Sequence, residues 1–81
     1  MDELIDRILA DARKDPSAWS RDGWSRAADA TRDCAAEFLA WARDHKRWSF
    51  IVAESNEVVC AKPPEAAAWV LHEIIEELLE D

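Results

Sequence analysis

The residues with the most chemistry to offer stand together in "HEIIEELLED", where Glu73, Glu76, Glu77, Glu80 and Asp81 place five carboxylates in nine positions. Paired carboxylates do acid–base work when burial or a neighbour shifts one of them. A row of carboxylates offers a cationic partner a regular set of anions. Glu73, Glu76, Glu77 and Glu80 recur at i, i+3, i+4 and i+7, so on a helix they share one side. No lysine or arginine follows Lys62. Nothing inside that helix therefore supplies an i,i+4 partner, and like charges at this spacing are mildly destabilising. Acids in the last turn also meet the negative end of the helix macrodipole, at a cost of about 0.3–1 kcal/mol each. Trp69 lies one turn before Glu73 on the same side. That combination is docking chemistry: charges steer and select a basic partner, and tryptophan is a frequent interface anchor. Such a row of carboxylates also imitates a phosphate backbone, which makes nucleic-acid mimicry a narrower form of the same expectation.

Other groupings carry less. Cys34, Cys60, His45 and His72 show no C-x₂-C or H-x₃-H spacing. "HEIIE", His72 to Glu76, lacks the second histidine of H-E-x-x-H. No metal and no cofactor are expected. Asp29, Asp33 and Glu37 line the outer face of a helix beside Arg26 and Arg32, the pattern of a solvated surface. The single glycine leaves no phosphate-cradling loop, and no serine or cysteine has a base at motif spacing. The chain reads as non-catalytic, with no catalytic residues.

Charge narrows the partner. Residues 1–53 carry ten acids against nine bases, a balance of −1, whereas residues 54–81 carry eight acids against Lys62 alone, a balance of −7. Direct nucleic-acid binding needs a basic footprint, which this distribution denies. Eighty-one residues with 49% hydrophobic side chains suit one globular domain over 1–81. Two cysteines make no disulfide framework, and "MDELIDR" carries no signal-like apolar stretch. No apolar run approaches the ~20 residues that span a bilayer. The expectation is a cytoplasmic protein that engages no membrane. Heavy use of Ala, Arg, Asp and Trp fits a GC-rich bacterial or phage genome.

These residues need elements to hold them. "DELIDRILADARK" sets Leu4, Ile5, Ile8, Leu9 and Ala12 on one face at helical spacing. Asp15 before Pro16 is an N-cap with proline at the first helical position, which predicts a short helical turn near 16–22. Trp24 to His45 carries one long apolar stripe through Ala27, Thr31, Ala35, Phe38 and Ala42. "RWSFIVAESNEVVCAKPP" then changes period. The runs Trp48–Ala53 and Val58–Lys62 bracket "ESNE" as a two-stranded antiparallel β-hairpin. Its inner face would hold Trp48, Phe50, Val52, Val59 and Ala61, and its outer face Ile51, Ala53, Val58 and Cys60. From Pro64 on, Ala67, Val70, Leu71, Ile74, Ile75 and Leu78 form the core side of the last helix.

The expected fold is therefore α+β: three main helices plus the hairpin, in the order α-α-β-β-α. The expected function is docking of Trp69, Glu73, Glu76, Glu77 and Glu80 onto a basic surface of a partner protein, as a small inhibitor, immunity-type protein or adaptor would do. A hairpin apolar on both faces with two open edges is poorly stable alone. The alternative is accordingly a structural homodimer formed through Ile51 and Val58, with the acids serving solubility only.

Overall fold

A computed structural model describes residues 1–58 and 62–81, and for Val58 the backbone alone. Among the described residues five helices follow one another: α1 (Asp2–Lys14), α2 (Pro16–Thr31), α3 (Ala35–Asp44), α4 (Ser49–Val58) and α5 (Pro63–Glu80). Among the described residues there is no strand. The described residues are all-helical, not α+β.

The first corner is one residue long. Asp15 closes α1, its N–H donating to the Asp11 carbonyl at 3.2 Å, and also opens α2. Its Oδ1 accepts from the Ala18 N–H at 3.1 Å, while Pro16 takes a position whose N–H has no intrahelical acceptor. Ile5, Ile8, Leu9 and Ala12 are the buried residues of α1, as their spacing predicts.

The single long helix expected over Trp24 to His45 is two helices. α2 starts at Pro16, takes in the expected turn at 16–22, and ends at Thr31. No glycine or proline marks the break. Thr31 is fully buried, and its hydroxyl donates to the Ala27 carbonyl at 2.9 Å, a bond of the kind that bends helices. The next amides then bond three residues back: Arg32 N to Asp29 O at 3.5 Å, and Cys34 N to Thr31 O at 3.2 Å. α3 starts afresh at Ala35. The break lets α2 pair with α1 while α3 pairs with α4.

The expected hairpin is overturned in the same way. Trp48–Ala53 and the "ESNE" turn belong to the α3–α4 corner and to α4; Val59, Cys60 and Ala61 lie outside the described residues. Burial shows why the helix wins. Trp48, Ile51, Val52 and Ser55, at i, i+3, i+4 and i+7, all face the core, with Ile51 3% exposed and Phe50 51% exposed. A strand would have turned Phe50 inward with Trp48 and Val52, and Ile51 outward. Ser55 is tolerated inside because its hydroxyl donates to the Val52 carbonyl at 2.6 Å. β-propensity mostly records how a side chain fits a half-buried sheet, and among the described residues there is no sheet for these side chains to join. A helix satisfies the same backbone internally and lays its apolar face on α3 and α5.

α5 closes the structure. It packs against all four other helices, and Ala67, Val70, Leu71, Ile74 and Ile75 are completely buried. Among the described residues no helix is long and apolar enough to cross a membrane.

The two exposures fix a test of α4. Ile51→Ala should cost about 2–4 kcal/mol, and Phe50→Ala less than about 1, measured by denaturant unfolding. A hairpin would reverse that order.

Candidate functional site

The acid stripe sits on the side of α5 that the other helices leave open, and α2 forms one bank of it. α2 runs antiparallel to α5: Trp19 meets Glu76, Trp24 meets His72, and Ala28 shares a groove with Ala68. Gly23 lies against both the Trp19 and the His72 ring. A Cβ added there would lie 3.0 Å from the Trp19 ring and 3.3 Å from His72. Its missing side chain lets the two helices close on the Trp19 indole.

That indole organises the inner part of the site. Trp19 is 2% exposed. Its ring stacks on His72 with centroids 5.4 Å apart and planes 15° apart. Its Nε1–H donates to Glu76 Oε1 at 3.1 Å. His72 Nε2 lies 3.5 Å from the same oxygen. A buried indole N–H needs an acceptor, and Glu76 is the residue that supplies it. Glu76 therefore works inward.

The remaining acids differ. Glu73 is half-buried, and Glu77 and Glu80 are exposed. Among the described residues none of the three forms an ion pair. Asp81, the C-cap of α5, is paired with Arg47 from the α3–α4 corner. Arg47 also lies 4.6 Å over the Trp48 ring, so one cation serves both the helix end and the aromatic row Trp41–His45–Trp48. Trp69 is half-buried and packs against the core, leaving only part of its surface to solvent.

The structure thus keeps Trp69, Glu73, Glu77 and Glu80 on one open side of α5 and draws Glu76 into the Trp19–His72 network. Ile51 lies in the core, and the side chain of Val58 lies outside the described residues. The hairpin face proposed for a dimer has no counterpart among the described residues. Sequence reasoning missed two things. The bond between Trp19 and Glu76 joins positions 57 apart and leaves no local pattern. Trp24, placed on the apolar stripe by its spacing, is 46% exposed. Among the described residues no three His, Cys, Asp or Glu side chains gather in a way that would hold a metal ion. Compared with known family models, curated proteins and solved structures, the chain matches none.

Substitutions at two positions test this packing. Glu76→Ala strands a buried donor and should cost about 1–3 kcal/mol, whereas Glu76→Gln keeps an acceptor oxygen and should cost less. Gly23→Ala should destabilise by about 1 kcal/mol or more through overpacking, despite alanine's better helix propensity. Thermal or denaturant unfolding reads both.

Proposed function

We propose that this chain is a non-catalytic, cytoplasmic binding protein that docks the open side of α5 onto a basic surface of another protein. The observation that carries this reading is the set Glu73, Glu77 and Glu80, three carboxylates on one side of a helix with no ion pair among the described residues. They repel one another, and Glu77 and Glu80 oppose the helix dipole at its negative end. An interface with a cationic partner turns each of these costs into a gain. The half-buried Trp69 on the same side adds apolar contact to the charge. Such a surface suits an inhibitor, an immunity-type protein or an adaptor, whose association is fast and selective because charge steers it.

The test spares Glu76, whose inward role would confuse binding with folding. Glu73→Gln, Glu77→Gln and Glu80→Gln together should leave stability unchanged or raise it by a few tenths of a kcal/mol per charge. Affinity capture from host lysate should yield a partner at ~0.05 M salt that is lost by ~0.5 M, because screening shortens electrostatic reach. The triple variant should fail to retain that partner at low salt. Equal recovery by both proteins sinks the reading.

A further inference from the structure

Where α2 passes the first turn of α5, a groove of about 230 Å³ opens between the two helices. This is smaller than the roughly 300–1,000 Å³ of small-molecule sites, but large enough to admit one extended side chain. Trp24, Ala28, Pro64 and Ala68 make its walls and floor, and Asp29, Arg32 and Glu65 its rim. Trp24 is the largest exposed aromatic, 46% open to solvent. Its ring lies 6.4 Å from that of His72, tilted by 52°. Asp29 is already paired with Arg32. Glu65 has no ion pair among the described residues, which leaves the groove one aromatic face and one uncommitted carboxylate.

We propose that this groove receives an arginine side chain from the basic partner, with the guanidinium stacked on Trp24 and hydrogen-bonded to Glu65. The inference rests on the proposed function and names the anchor of that interaction. Charge complementarity selects a cation: the rim carries a net −1 in a protein of net charge −8. An aromatic face beside a carboxylate is cation-binding chemistry. Arginine fits better than lysine, because a planar guanidinium stacks on a ring while its edge donates to a carboxylate in two parallel bonds. Position supports the same occupant. Glu65, Trp69, Glu73, Glu77 and Glu80 succeed one another at helical spacing along α5, a ridge of about 22 Å at 1.5 Å per residue. An extended basic segment of about seven residues spans that length. It would reach the Trp24 groove at one end and the unpaired acids at the other.

Nine-residue arginine and lysine peptides serve as probes against the whole isotope-labelled chain, followed by NMR at ~0.05 M salt. The Trp24 indole signal is assigned through Trp24→Phe. Expected is a shift of that signal with the arginine peptide, and tighter binding of arginine than lysine by about fivefold or more. Trp24→Ala and Glu65→Gln, both changes at exposed positions, should each remove that preference by weakening the arginine peptide more than the lysine peptide. Equal affinities for the two peptides, or an arginine preference that survives Trp24→Ala, overturns the groove. Binding that ignores Trp24 but vanishes in the Glu73, Glu77 and Glu80 triple variant overturns the groove alone and leaves the acid ridge standing. No binding of either peptide overturns both readings.

Discussion

One helix bears the whole core. α5 touches every other helix, α1 pairing with α2 on it and α3 with α4, so its surface is spoken for over most of its circumference. Ala66 to Ala68, Val70, Leu71, Ile74 and Ile75 are all buried, an arc much wider than an ordinary amphipathic stripe. Every charged residue that α5 carries must then fit the narrow side left over. The crowding of Glu73, Glu77 and Glu80 is in part a packing result: a central helix has one solvent lane. Packing explains why charges gather there, but it says nothing about why all of them are acids, and that excess is what a partner would read.

The same constraint governs α2. To seat Trp19 on His72 of α5, both rings must lie close over the α2 backbone, and Gly23 leaves the room for them. The enclosed indole then needs a hydrogen-bond acceptor, and Glu76 provides it from within the lane. One member of the stripe is thus structural and its neighbours are free for other work. His72, stacked on Trp19 and facing Trp24, links the enclosed tryptophan to the exposed one. The fold and the candidate surface share these residues, so Trp24 is presented on a rigid helix and not on a loop.

How much of this the sequence declares depends on how local the cause is. The faces of α1 and α5 and the Asp15–Pro16 corner follow from spacing and capping within a few residues, and they are readable. α4 is ambiguous at that range. Trp48, Phe50 and Val52 fit a strand, while Trp48, Ile51, Val52 and Ser55 fit a helix, and the serine at the fourth position hides the second pattern. Packing on α3 and α5 decides between them, and that information lies elsewhere in the chain. The break after Thr31 has no glycine or proline to announce it. In the site, the stripe of acids is visible as periodicity. The capture of Glu76 by Trp19 is a tertiary contact without a local signature, and so is the exposure of Trp24.

The central place of α5 also has a kinetic meaning. The chain makes the α1–α2 and α3–α4 pairs from neighbours in sequence, which close over short loops. The contacts that bury Ile5 and Ile8 with Ile74 and Ile75 in one cluster join opposite ends of the chain. Those contacts set the slow part of the folding search, since loop closure must be met before they reward it. During synthesis the first four helices appear before α5, with the apolar faces it covers still open. The acidic helix thus completes the core that the first four helices begin.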